Sequence, residues 1–229
     1  MPTPPDTGDR ERVRPGPAPA LTVPGIAAAA VSIADRDGLP AMTMRSVAAR
    51  LGTSASGLYR YVTSRDELLA QMVDLVSATV EHPPPTADWL ADLQTVAESQ
   101  RAVFRTHPWL TVALDGTIML GPHVLDHLDW GLEVLAEVPA TDGQKLEALA
   151  LANGIAALFA NAGPGGDRGV FAHLDGRRHP RVAAALAGVA APTSASDPFP
   201  RVLAAVLHAT LGTTPDATPK ARRPGRSNA

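Results

Sequence analysis

The 229-residue chain has no cysteine, which excludes a disulfide framework, a thiolate metal site and a cysteine nucleophile. Aromatic residues make up only 4% of it, against 45% apolar residues overall. With Ala and Leu dominating every periodic segment, the expected core is made of helices packed through small and branched side chains, and the expected fold class is all-α. Nowhere do 18 apolar residues run together, so no membrane span is expected. Residues 1–20 carry Asp6, Asp9, Glu11 and several prolines but no apolar run. They do not read as a signal peptide, and the expected location is the cytoplasm. No nucleophile elbow, phosphate loop or zinc-hydrolase signature is present, so an enzyme is not expected.

Net charge is only −3, a weak argument for a polyanion partner until its distribution is considered. Between Arg10 and Arg65 eight basic residues face three acidic ones, a surplus of five positive charges. From Asp66 to Pro215 eight basic residues face seventeen acidic ones, a deficit of nine. A positive head on a negative body directs a polyanion to one end of the molecule.

The N-terminal part reads as three short helices and a longer fourth. Thr22 caps the first, with Pro24 in its first turn and Gly38 after its last. Thr43 caps the second, whose Met44, Val47, Ala48 and Leu51 recur at helical spacing up to Gly52. The third begins at Ser54 and is expected to run through Val62. Ser64-Arg-Asp-Glu67 reads as a capping box, in which serine hydroxyl and glutamate carboxylate each satisfy an orphan N–H of the fourth helix. Two helices joined by Gly52-Thr-Ser54 form a helix-turn-helix pattern. Ala55, Ser56, Gly57, Arg60 and Tyr61 are expected to face outward from the third helix, where mostly small side chains allow close approach to base edges in a major groove.

Met42-Thr-Met-Arg-Ser-Val-Ala-Ala-Arg-Leu-Gly52, Ser56-Gly-Leu-Tyr-Arg-Tyr-Val62 and Ser64-Arg-Asp-Glu-Leu-Leu69, in this order and spacing, resemble the head of tetracycline-repressor (TetR) type regulators. The resemblance covers about residues 22–80 and extends more loosely over the remainder, including His107-Pro-Trp-Leu110. It implies an all-α protein in which a three-helix helix-turn-helix head is joined by a fourth helix to an all-helical regulatory and dimerisation body. The implied divisions are a disordered arm at 1–20, the DNA-binding domain at 21–66, a ligand-binding and dimerisation domain at 67–212, and a disordered basic tail at 213–229. Carried over residue by residue, Thr43, Arg45, Ala55, Ser56, Gly57, Tyr59, Arg60, Tyr61 and Arg65 are the candidate DNA contacts. Arg45 and Arg60 suit base edges, and the hydroxyls and Arg65 suit phosphate oxygens.

The resemblance further implies a homodimer on a palindromic double-stranded operator, with Gly143–Ala162 and Phe199–Gly212 pairing into a four-helix bundle. A small-molecule effector is implied in the body. Gln100, Phe104, Trp109, His127, Trp130 and Asn153 are the candidate lining residues, and Asn153 stands out as a lone amide in the apolar stretch Leu149–Phe159, where a buried amide needs a partner. A body that binds a protein instead of a small molecule is the alternative. His123 and His127 stand at i and i+4 near Asp126 and Asp129, but the sequence offers no third ligand, so neither metal nor cofactor is expected.

Overall fold

The computed structural model describes residues 21–113, 120–160, 173–189 and 197–214. The expected arm at 1–20 lies outside the described residues, as does the expected basic tail beyond residue 214. The described residues are all-helical: α1 Val23–Asp37, α2 Met44–Arg50, α3 Ala55–Leu58, α4 Arg65–Ser77, α5 Trp89–Thr106, α6 Trp109–Ala113, α7 Pro122–Val134, α8 Asp142–Ala160, α9 Pro180–Val189 and α10 Phe199–Leu211.

Local chemistry sets the helix ends. Thr22 Oγ1 accepts the Gly25 N–H at 3.2 Å, and α1 stops at Gly38, whose φ of 81° is open to glycine at little cost. Thr43 and Ser46 form a reciprocal box at the start of α2: the Ser46 N–H donates to Thr43 Oγ1 at 3.1 Å and the Thr43 N–H to Ser46 Oγ at 2.9 Å. Gly52, at φ 66°, reverses the chain, and the Thr53 N–H closes on the Ala48 carbonyl at 3.0 Å.

Two local expectations are corrected. α3 is a single turn and does not run to Val62 as a regular helix. Beyond Leu58 the bonding tightens, the Tyr61 N–H reaching back only three residues to the Leu58 carbonyl at 2.8 Å, as at frayed helix ends. At α4 the Ser64 hydroxyl does accept the Glu67 N–H, at 3.0 Å. The Glu67 carboxylate, however, turns one residue further back and accepts from the Thr63 N–H at 2.6 Å and the Thr63 hydroxyl at 2.5 Å. Hydrogen bonds from the Thr63 hydroxyl and N–H hold the Glu67 carboxyl below its ordinary pKa.

One core runs through head and body. Ile26, Ala30 and Ile33 of α1 meet Leu68 and Met72 of α4, with Met42, Val47, Leu58 and Val62 closing the head. Burial of each large aliphatic side chain contributes roughly 1.5–3 kcal/mol, so α4 is held to the head along much of its length. In the body α8 packs against both α5 and α10. The buried Arg101 guanidinium pairs with Asp197 and Glu98, donates to the Phe159 carbonyl, and lies 4.7 Å over the Phe199 ring, fixing the start of α10 to α5 and α8. α8 is apolar on nearly every side, as expected of a helix buried all round. Yet Leu151 and Leu158 are exposed, the latter to 72%, and a Cβ added to Gly154 between them would meet open space.

Candidate DNA-binding surface and effector cavity

Capping and burial of Val47, Ala48 and Leu58 together shape the short helix-turn-helix. Ser54 Oγ accepts the Gly57 N–H at 3.1 Å and starts α3, while Leu58 drops into the core and leaves Tyr59 and Arg60 outside. Thr43, Arg45, Ser56, Tyr59, Arg60, Tyr61 and Arg65 are exposed. Tyr59 is 50% exposed and so is not a core residue, its hydroxyl free to reach a partner. Arg45 and Arg60 make no hydrogen bond or ion pair among the described residues. Ala55 is half-buried and packs on the core.

Gly57 is corrected: it is buried and does not belong to the outward surface. A Cβ there would lie 2.8 Å from Thr53 Oγ1 and 3.4 Å from Ser54 Oγ. The glycine, which costs about 1 kcal/mol in a helix relative to alanine, is explained by this close approach of turn and helix. Arg65 has a second commitment: its Nε donates to the Met42 carbonyl and its Nη2 to the Leu39 carbonyl, each at 3.3 Å. It ties the start of α4 to the turn between α1 and α2 while remaining exposed. Arg50 donates to Ser32 Oγ at 2.8 Å on the outer face of the head.

The body holds a cavity of about 220 Å³ between α4, α5, α7 and α8. Of the six expected lining residues, Gln100, Phe104, His127 and Asn153 line it, and Trp109 and Trp130 do not. Trp109 is buried with its indole N–H donating to Asp35 Oδ1 at 2.7 Å. Trp130 is buried with its N–H donating to the Pro83 carbonyl at 2.7 Å. Both rings are structural; a lone indole N–H was drawn to a distant acceptor in each case.

A polar string crosses this otherwise apolar space. Gln100 Nε2 lies 3.3 Å from Asn153 Oδ1 and 3.0 Å from His127 Nε2, and His127 Nδ1 lies 2.9 Å from His82 Nε2. Burial, reinforced by the neighbouring His82, lowers the His127 pKa to about 4. Burial lowers that of His82 as well. His123 points elsewhere, its Nδ1 2.8 Å from Asp74 Oδ2, so the two histidines at i and i+4 serve different partners. Among the described residues no group of three His, Asp or Glu is placed to hold a metal ion.

Two carboxylates missed in the sequence tie the cavity walls: Asp74 joins them to each other and Asp35 joins them to the head. Asp74, buried on α4, caps α7 from outside that helix. Its Oδ1 accepts the N–H groups of His123 and Val124 at 2.8 and 3.3 Å, a contact that requires Gly121, whose missing Cβ would overlap the Asp74 side chain. Asp35 on α1 accepts from Trp109 Nε1 and lies 2.7 Å from His107 Nδ1. It fastens the head to the turn before α6, one residue from the cavity-lining Leu110. A carboxylate alone within Met72-Val-Asp-Leu-Val76 was a visible signal; Asp35 sat among other charges and gave none.

Residues 20–72 match the family described as bacterial regulatory proteins, tetR family, and residues 82–214 the tetracyclin repressor-like C-terminal domain. The chain is 38% identical over 151 residues to the HTH-type transcriptional repressor DrrR1 of Streptomyces coeruleorubidus, covering 65% of this chain and 55% of that protein. It is 32% identical over 119 residues to an HTH-type transcriptional regulator of Saccharopolyspora erythraea, covering 52% and 50% respectively. The matches thus span about half the length of these curated relatives. Among solved structures, the TetR family protein ActR of Streptomyces coelicolor, in complex with actinorhodin, superposes with a TM-score of 0.69 at 26% identity, covering 88% of this chain and all of that one.

Proposed function

The chain belongs to the tetR family of bacterial regulatory proteins, and on that premise we propose that it is a homodimeric DNA-binding transcriptional repressor released from a palindromic operator by a small molecule. Residues 21–66 are its DNA-binding domain and 67–212 its ligand-binding and dimerisation domain. The observation that carries this reading is the place of the cavity. Val73, Ser77 and Val80 give it a wall on α4 and the segment just after it, while Arg65 at the other end of α4 is bonded to the head. An occupant that shifts α4 therefore moves the head with it. ActR in complex with actinorhodin supports the same use of the body in this chain.

Arg45 and Arg60 read base edges, and Thr43, Ser56, Tyr59, Tyr61 and Arg65 grip the phosphates. The exposed Leu151, Gly154 and Leu158 on α8, beside the small exposed Ala205 and Ala209 of α10, are the face on which a second copy packs, small residues permitting close approach of helices. No helix among the described residues is long and apolar enough to cross a membrane, and the proposed protein works on DNA as a regulator and not as an enzyme.

Selection of bound sequences from a random DNA pool tests the proposal. Inverted half-sites whose centres lie about one helical turn apart, ~34–36 Å, are the expected product. Failure of the protein to retain any DNA at low salt would refute it.

A further inference from the structure

The cavity is more specific than its apolar walls suggest. Among the described residues its lining includes no Asp, Glu, Lys or Arg, and the titratable lining group among them, His127, is held neutral near pH 7. A charged occupant would therefore meet no opposite charge there, and burying an unpaired charge is among the costliest changes a protein interior can undergo.

The polar string has a direction. Asn153 Oδ1 can only accept, so Gln100 Nε2 donates to it, and the second Gln100 hydrogen is directed at His127 Nε2. That nitrogen is thereby an acceptor, and the His127 proton sits on Nδ1, facing His82 Nε2. Two groups are left over on the lining residues: the Gln100 Oε1 acceptor and the Asn153 Nδ2 donor. Neither has a partner among the described residues, and both belong to cavity-lining amides that are joined to each other by a 3.3 Å bond.

We infer that the effector is an uncharged, largely apolar molecule bearing an adjacent carbonyl acceptor and N–H or O–H donor on one edge, read by Asn153 and Gln100. An amide, a lactam or a hydroxy-ketone has this edge. Its carbonyl takes the Asn153 hydrogens, its donor meets Gln100 Oε1, and its body lies against Val73, Val80, Phe104, Val124 and Leu128. The inference rests on the cavity being the effector site proposed above.

Three probes on one carbon skeleton separate the elements of the claim when titrated calorimetrically into the full chain near neutral pH. 2-Naphthamide is uncharged with donor and acceptor, 2-acetonaphthone has the acceptor alone, and 2-naphthoate is the charged near-isostere of the amide. The amide is expected to bind about tenfold tighter than the ketone, the gain from roughly one hydrogen bond, and the carboxylate at least about tenfold more weakly than the amide. In Gln100→Met, which keeps the length but loses the Oε1 acceptor, the preference for the amide over the ketone should vanish, whereas Asn153→Asp, which loses the donor to the shared carbonyl, should weaken the ketone. Carboxylate binding as tight as amide binding, or ketone as tight as amide, overturns this inference and leaves the effector site standing. Binding of none of the three overturns both. The wild-type series is decisive whether or not the variants fold.

Discussion

Acidification should destabilise this protein chiefly through the half-buried imidazole of His127. In the folded chain His127 has a pKa lowered from 6.5 to about 4, first by burial and then by the neighbouring His82. As the pH falls through about 6.5 the unfolded chain takes up a proton that the folded chain refuses, so stability declines with falling pH until the folded ring also protonates near 4. At roughly 1.4 kcal/mol per pH unit the loss attributable to His127 approaches about 3 kcal/mol, an upper bound because water reaches the ring through the cavity. His82, also lowered, adds a smaller loss of the same sign. Replacing His127 by Gln keeps a hydrogen-bonding side chain and removes the titration.

The measurement is the difference in urea-unfolding free energy between wild type and His127→Gln at several values from about pH 7 down to about pH 4.5. Carboxylates elsewhere titrate alike in both proteins, so the difference isolates the imidazole. Wild type should lose about 2–3 kcal/mol more than the variant over that interval. Parallel curves would refute the reasoning, because they would mean that the folded His127 accepts a proton as readily as the unfolded one.

Arg45→Ala should weaken binding to the selected operator by about 1–3 kcal/mol and relax base preference with no change in melting temperature, as measured by DNA titration beside thermal unfolding. Arg65→Ala should weaken binding to all DNA and reduce the salt slope by about one, and it should also lower the melting temperature, since its donors hold two carbonyls of the head. Asp35→Ala leaves the buried Trp109 indole N–H without an acceptor and should cost about 1–3 kcal/mol in chemical denaturation. Asp74→Ala removes the cap of α7 and should cost about 1–2 kcal/mol by the same assay, with Gly121→Ala acting on the same contact by steric overlap.

Much of the head was legible because its determinants are local. Thr22, Thr43, Ser54 and Ser64 each cap the helix they precede, and Gly38 and Gly52 turn the chain where a positive φ is needed. Gly57 shows the limit. Its presence in a helix was visible, but its reason, the Thr53 hydroxyl 2.8 Å from where a Cβ would stand, is a fact of three-dimensional packing. In the body, Asn153 could be picked out as a lone amide in an apolar helix, and Gln100 and His127 were named with it as candidate lining residues. Trp109 and Trp130 had the same appearance as cavity-lining rings, and only the fold shows that their N–H groups are taken by Asp35 and by the Pro83 carbonyl, 74 and 47 residues away. His82 opens the run His82-Pro-Pro-Pro85 that follows α4, and its contact with His127 depends on α7 packing beside that run.

The two overlooked carboxylates bear on how an occupied cavity reaches DNA in the proposed mechanism. Asp74 joins α4 to the start of α7, and His127 and Leu128 of α7 line the cavity. A molecule that parts these helices therefore pulls on α4, whose first residue is bonded to the head. Asp35 joins α1 to Trp109, next to Leu110 on the cavity wall. The head is thus held at two points, and a rotation about one alone would break the other. Release by an effector accordingly requires α4 and α6 to move together, or the Asp35 contact to open first. The two routes differ in their consequence: if the Asp35 contact opens first, Asp35→Ala lowers the effector concentration needed for release, whereas concerted movement predicts that this substitution uncouples the cavity from the head and raises it.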